Sequence, residues 1–191
     1  MPNELHGQRI AILIAPRGTE EAEFADAREA AEDAGAEGDA ISTEAGEAKT
    51  VNSDLDPGSA YAVDKTFAVA HADDYDALIL PGGSVGSDTL RGSEEAVSFV
   101  RAFFDAGKPV AAICHALWLL VEADVLQGRR LTSYPTLQTD IRNAGGEWTD
   151  EEVVVDEHGG SSVLVTSRTP DDLPAFCEHM VEQFAEAGGA A

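Results

Sequence analysis

The chain has 191 residues, 43% of them apolar, and carries 36 acids against 12 bases for a formal charge of −24. That composition excludes a disordered chain and suits one domain burying roughly 70% of its unfolded surface, while the charge disfavours nucleic acid and anionic membranes as partners. No apolar run approaches the ~20 residues of a bilayer span and the start MPNELHGQRI lacks a basic, apolar leader, so a cytoplasmic location is expected.

In chain order, RIAILIA (9–15) is a continuous apolar run, the pattern of a strand buried on both faces of a parallel sheet. TEEAEFADAREAAEDAG predicts a helix with Thr19 as N-cap, acids in its first turn and Gly35 as its stop. GDAIST is a weak second strand, and residues 44–70, with Asp-Pro-Gly and alternating segments such as YAVDKTFAVA, predict a hairpin excursion. YDALILPGG is a strand ending in glycines, SEEAVSFVRAFFDAGKP a capped amphipathic helix, and VAAIC a strand followed by the helical HALWLLVEA. The last third repeats the rhythm: strand RRLTSYP, helix TLQTDIRNAGG, paired strands EEVVVDE and SSVLVTS, then the closing helix in TPDDLPAFCEHMVEQFAEA and a small-residue tail. Strands alternating with helices predict a doubly wound α/β fold, a mostly parallel sheet with helices on both faces. No linker divides it, so a single domain over 1–191 is expected, its ordered core running from about 8 to 187.

In such a sheet, chemistry gathers at the carboxyl ends of the strands. Here those ends read APRGTEEAE, PGGSVGSD and CHA. Cys114 closes a strand and precedes a helix, an elbow that projects a nucleophile towards helical N–H groups able to lower a thiol pKa into the ~3.5–7.5 range. His115 follows it, placed to shuttle protons or to lend its backbone N–H to an oxyanion. The residues alone leave open the plainer use of Cys114 as a small buried apolar group. Cys177 sits with Phe176 and Met180 on the inward stripe of the last helix and is expected to fill the core. Two cysteines and five scattered histidines predict no disulfide framework, no metal site and no cofactor.

GGSVG (82–86) matches the G-x-S-x-G elbow of serine hydrolases, which makes Ser84 a rival nucleophile. The clear helical pattern begins only near Ser93, so Ser84 is not expected to open a helix, and Pro81-Gly82-Gly83 is better used as a tight turn whose amides bind developing negative charge. Glu20, Glu21 and Glu23 fall in a first helical turn, where a solvated acidic face complementing the helix dipole is the simplest use for them.

AICHALWLLVEADVLQGRRLTSYP, DIRNAGGEW, EEVVVD and VTSRTPDDLPAF together resemble the PfpI (intracellular protease I) family, in the superfamily that includes the parkinsonism-associated deglycase. The resemblance runs from RIAILIA to the final helix and is weakest in the hairpin region. It implies a flavodoxin-like, class I glutamine amidotransferase-like sandwich, with Cys114 as thiolate, His115 as its partner, and Glu23, the last acid of EEAE, as the carboxyl that approaches the sulfur. A carboxylate beside a thiolate raises both pKa values, so one group must hold the proton; we expect Glu23 to hold it and to donate to the sulfur.

In the family the third polar member of the Cys–His set is an acid after P-G-G supplied by a neighbouring subunit. Here that acid is Asp88, with one inserted residue relative to relatives reading PGG-x-x-x-acid. The implied partner is therefore another copy of the chain, in dimers built into hexamers. Amides near Gly82, Gly83 and His115 would form the oxyanion site. The family often has Gly-Pro after Cys-His; Ala116-Leu117 here narrows the space by the nucleophile and makes its wall more apolar. The implied function is a cysteine-dependent hydrolase, peptidase-like or a deglycase or glyoxalase of reactive aldehydes and glycated amines, protective under stress. The alternative is a redox sensor or holdase whose cysteine oxidises without turnover. A class I glutamine amidotransferase would need a late His-x-Glu pair, which neither His158-Gly-Gly nor His179-Met-Val supplies.

The charge has its own consequence. A −24 chain with three lysines repels itself unless salt screens it, and the screening length shortens from ~10 Å at 0.1 M to ~3 Å at 1 M. A protein built for molar salt should melt at a higher temperature in multimolar KCl than in dilute KCl; equal melting temperatures in the two would remove this reading.

Overall fold

Arg9–Leu13 forms the first strand, β1, and its side chains explain the layering. Ile10 and Ile12 enter one apolar cluster with Phe24, Phe176, Met180 and Phe184, whereas Ala11 and Leu13 enter another with Phe99, Phe103, Leu117 and Leu120. Successive strand residues face opposite sides. An unbroken apolar run is therefore what a strand between two helical layers requires. These coordinates are a computed structural model describing residues 3–157 and 159–189; His158 and the end of the small-residue tail lie outside the described residues.

After β1 come β2 (Arg17–Glu20), α1 (Glu21–Asp33) and β3 (Glu37–Ser42), then β4 (Gly46–Asn52) and β5 (Asp56–Val63), which pair antiparallel. A short β6 (Lys65–Thr66) and β7 (Ala77–Leu80) return the chain to the main sheet, followed by α2 (Ser84–Arg91) and α3 (Glu94–Asp105). β8 (Val110–Ile113) runs into a 3₁₀ turn at Cys114–Ala116 and then α4 (Leu117–Glu122). The remainder is β9 (Arg130–Leu131), α5 (Gln138–Asn143), β10 (Glu147–Trp148), β11 (Val153–Asp156), β12 (Leu164–Ser167) and α6 (Leu173–Gly188).

The main sheet has the order β11-β12-β8-β7-β1-β3-β6, parallel throughout except where β11 pairs with β12. The expected doubly wound α/β architecture is present. The carboxyl ends of β1, β7 and β8 lie side by side, so the three strand ends picked from the sequence share one edge. The β4–β5 hairpin joins β2 in a separate three-stranded sheet. Far along the main sheet, Arg129 and Asp156 form a buried ion pair at 3.0 Å, with Ser162 O and Gly159 N completing their hydrogen bonds. Such a pair persists only when its remaining polar atoms are satisfied.

Two expectations need correction. Thr19 does not cap α1: Glu20 occupies that position, and Thr19 Oγ1 accepts the Ala15 N–H at 3.0 Å, closing the turn after β1. Ser84 does open a helix, because Gly83, at φ +94°, turns the chain straight from the end of β7 into α2. Ser93 caps α3 as expected, accepting the Ala96 N–H at 3.2 Å.

Candidate active site

Cys114 has φ +64°, a left-handed conformation forced by the elbow between β8 and the 3₁₀ turn. A non-glycine residue there carries a cost of order 1–3 kcal/mol, borne only where the surroundings fix it. Ser84, the rival nucleophile, is not among the positive-φ residues. The sulfur lies beneath the surface, with Cys114 6% exposed. Burial pushes its thiol above the usual range and the neighbouring Glu23 carboxylate adds to this, whereas the backbone N–H groups of Gly83 and His115 pull the other way. The low thiol pKa expected from a helix terminus is therefore not what the static elbow produces: a three-residue turn and a six-residue helix supply too little field to outweigh desolvation.

Glu23 is fully buried in the first turns of α1. Its Oε2 accepts the Gly82 N–H at 2.7 Å, and its Oε1 has no hydrogen-bond partner among the described residues. The carboxyl interacts with Cys114, and burial pushes it up to about 8, so it holds a proton at pH 7. Once protonated, Glu23 is no longer an anion beside the sulfur and has an O–H to donate.

The neighbouring acids do not form the solvated face expected of them. Glu20 is buried and accepts the N–H groups of Ser53 and Asp54 at 2.8 and 3.2 Å. Glu21 accepts Asn52 Nδ2 at 3.0 Å and the Tyr61 hydroxyl at 3.2 Å. Both hold the β4–β5 hairpin against α1, which leaves Glu23 to point inward.

His115 Nδ1 stands 3.2 Å from Cys114 Sγ, an approach that adjacency in sequence does not guarantee. The ring stacks on Tyr134 at 4.4 Å between centroids and meets the edge of Trp118 at 5.1 Å. Burial lowers its pKa, opposed by Asp54, so the imidazole is neutral at pH 7. Its Nε2 lies 3.3 Å from Ser84 Oγ, which donates to Asp54 Oδ2 at 2.9 Å. Asp54 was not singled out in the sequence. The signal available was its place at the tip of an expected hairpin, but nothing local said where that tip would land.

Asp88 does not reach His115 within its own chain. It lies on α2 with its side chain 68% exposed and pairs with Arg91 at 3.2 Å, while Arg91 covers the Trp118 ring. Gly82 is corrected as an oxyanion donor, since its N–H is taken by Glu23; the amides of Gly83 and His115, both aimed at the sulfur, remain. Leu117 is fully buried in the core instead of lining a pocket by the nucleophile. Cys177 is half-buried, packed against the apolar cluster of Phe176 and Met180 and lining a surface cleft between α1 and α6, and burial pushes its thiol up to about 11. Among the described residues no three of His, Cys, Asp and Glu gather as a metal-binding set, and no helix is long and apolar enough to cross a membrane.

Against known proteins, the profile of the DJ-1/PfpI family matches residues 8–183. Protein/nucleic acid deglycase 2 of Escherichia coli is 44% identical over 169 residues, which is 88% of this chain and 93% of that one. YraA of Bacillus subtilis, named as a candidate cysteine protease, is 38% identical over 169 residues, covering 88% of this chain and 94% of that one. A solved two-domain protein of Anabaena variabilis, with DJ-1/ThiJ/PfpI-like and ferritin-like domains, superposes with a TM-score of 0.82 at 32% identity; the match covers 92% of this chain and 48% of that one. The sheet and its helical layers are thus of the class I glutamine amidotransferase-like type.

The raised Glu23 gives a signed prediction. The folded chain keeps a proton that the unfolded chain releases near the ordinary value of 4.5, so stability is lost as pH rises from there through about 8. One proton's linkage is worth at most about 1.4 kcal/mol per pH unit. Urea unfolding between pH 5 and 8.5 should show that slope in the wild type and not in Glu23→Gln; the same slope in both would contradict a buried, protonated Glu23.

Proposed function

The chain belongs to the DJ-1/PfpI family, and from that premise we propose that it is a stress-protective, cysteine-dependent hydrolase, a deglycase or glyoxalase acting on reactive aldehydes and glycated amines. The observation carrying this reading is the meeting of Cys114, on its left-handed elbow, with a neutral His115 Nδ1 at 3.2 Å and the buried Glu23. The E. coli relative's name supports the deglycase side. So does burial: with Cys114 and His115 each 6% exposed, a small carbonyl compound reaches the sulfur more readily than an extended peptide does.

The reaction follows from the geometry. As Cys114 Sγ forms a bond to the carbonyl carbon, its proton passes to His115 Nδ1 and the C=O π pair moves onto oxygen. The Gly83 and His115 amides receive that oxyanion, and Glu23 donates its O–H to the sulfur while negative charge resides there. With an α-ketoaldehyde, His115 returns the proton to oxygen to give a thiohemiacetal; moving its carbinol C–H proton through an enediol to the adjacent carbon gives a thioester, and water then releases the 2-hydroxy acid and the free thiol. With a peptide or acyl group, collapse expels the amine, which takes the proton from His115, and water then releases the acid. Peptidase chemistry by the same residues is the second substrate class, supported by the name of the B. subtilis relative. A redox sensor or holdase is disfavoured by the depth of the sulfur, since such thiols are accessible and of low pKa.

The role the family resemblance gives Asp88 requires a partner copy, because this carboxylate faces outward on α2. Assembly of identical subunits, bringing a partner's Asp88 towards His115, belongs to the proposal.

In molar KCl, wild-type protein should consume methylglyoxal and release amines from glycated peptide faster than it cleaves a fluorogenic peptide. Cys114→Ala should lower that turnover by about a thousandfold or more while keeping the fold. Equal turnover by Cys114→Ala would overturn the assignment, and peptide cleavage alone would move it to the peptidase side.

A further inference from the structure

We propose that Asp54 and Ser84 act as positioning residues that lock the tautomer and orientation of His115 from within the same chain, forming an Asp54–Ser84–His115–Cys114 relay. The proposal deepens the Cys–His reading above and rests on it.

The bonds form a continuous line. Asp54 Oδ1 accepts the Ser84 N–H at 2.7 Å and its Oδ2 accepts the Ser84 hydroxyl at 2.9 Å. Ser84 Oγ lies 3.3 Å from His115 Nε2, and His115 Nδ1 lies 3.2 Å from Cys114 Sγ. Counting protons fixes the direction. A serine hydroxyl has one hydrogen, and an ionised carboxylate only accepts. With that hydrogen directed to Asp54, Ser84 Oγ can meet Nε2 only as an acceptor, so Nε2 carries the ring proton. Nδ1 is then left with a free lone pair facing the sulfur. This is the tautomer the thiol needs, and the alternative one would turn an N–H towards an S–H.

The relay also serves the step itself. When Nδ1 takes the thiol proton, the imidazolium directs its Nε2–H through Ser84 to the Asp54 carboxylate. The two aromatic contacts, Tyr134 stacked and Trp118 edge-on, hold the ring plane, and the relay sets which edge faces the sulfur. Asp54 favours the protonated ring, opposing the burial that disfavours it.

The backbone bears a cost to place Asp54. Ser53 and Asp54 are consecutive left-handed residues, at φ +52° and +64°. Their N–H groups are both taken by the buried Glu20 carboxylate. Capping α2 gives Asp54 a structural use, since Gly83 offers no side chain for it. That use needs only the Ser84 N–H, however, and leaves the bond to the Ser84 hydroxyl and its contact with Nε2 unexplained. It follows that each subunit holds an acid for its own histidine, on a different edge of the ring from that facing the sulfur.

Ser84→Ala separates the two uses, because it keeps the backbone N–H that Asp54 caps and removes only the hydroxyl. The variant should melt within a few degrees of wild type, lose about ten- to a hundredfold in kcat with little change in KM, and be largely rescued as Ser84→Thr. In ¹⁵N-histidine spectra, with His115 assigned through His115→Gln, resting wild-type protein should show the Nε2–H tautomer and Ser84→Ala a mixture of both. Unchanged ¹⁵N shifts and unchanged kcat in a folded Ser84→Ala would overturn the relay. So would a loss of activity that tracks a lowered melting temperature and is not restored by threonine. Because the tautomer is read in resting protein, the relay stays testable in wild type lacking Cys114-dependent turnover, an outcome that sinks the enzymatic reading alone.

Discussion

The ends of β7 and β8 meet at Gly82 with no space for a side chain: a Cβ there would stand 2.7 Å from Glu23 Oε2, 2.8 Å from Cys114 Cβ and 2.8 Å from Ile113 O. That close approach lets the Gly82 N–H bind Glu23 while the same backbone presses against the cysteine elbow. Any larger residue would force the strand ends apart, rehydrate the carboxyl and return it to its ordinary acidity. The proton on Glu23, the sulfur's depth and the left-handed Cys114 are thus aspects of one packing arrangement. Gly83 extends it, because a side chain there would collide with the carbonyl of Gly18 in β2.

Around this contact the acids at the entry to the first helix are divided by destination. Glu20 and Glu21 tie down a hairpin that joins β2 in a sheet of its own, while Glu23 enters the core. In a chain with 36 acidic residues, the carboxyl beside Cys114 is distinguished by its desolvation and not by its type. The two at the hairpin, Glu20 buried and Glu21 partly exposed, serve as structural acceptors. The hairpin in turn carries Asp54 back over the carboxyl edge of the main sheet, where it caps α2 beside the histidine.

Much of this was legible in the sequence, for identifiable reasons. Apolar runs such as those of β1 and β8 have no polar face, which means burial between layers, and glycines mark where strands and helices stop. Cys114, His115 and Glu23 were singled out by the elbow pattern and by resemblance, and the fold brings the three together. Helix α2 escaped because Ser-Val-Gly-Ser-Asp has poor helix propensity; it forms where Gly83 turns the chain and Asp54 supplies the cap from thirty residues away. The same tertiary dependence hid Asp54 itself and the loss of the Gly82 amide to Glu23. The thiol's acidity was misread because a sequence shows that a helix follows a cysteine, but not how short it is or how deeply the sulfur lies.

The proposed chemistry therefore depends on a neutral acid, not an anion, standing beside the sulfur. Below about 8 the Glu23 O–H and, after proton transfer, the His115 Nδ1–H can both donate to the thiolate; above it, the Glu23 charge opposes that state. The most direct measurement is the rate of Cys114 alkylation by iodoacetamide from pH 5.5 to 10, in wild type and in Glu23→Gln. The account predicts a wild-type rate that stays below that of free cysteine, rises up to about pH 8 and flattens above it as Glu23 ionises, with Glu23→Gln lacking that ceiling. A wild-type rate that climbs with pH along the curve of free cysteine, near pKa 8.5, and is matched by Glu23→Gln would contradict it.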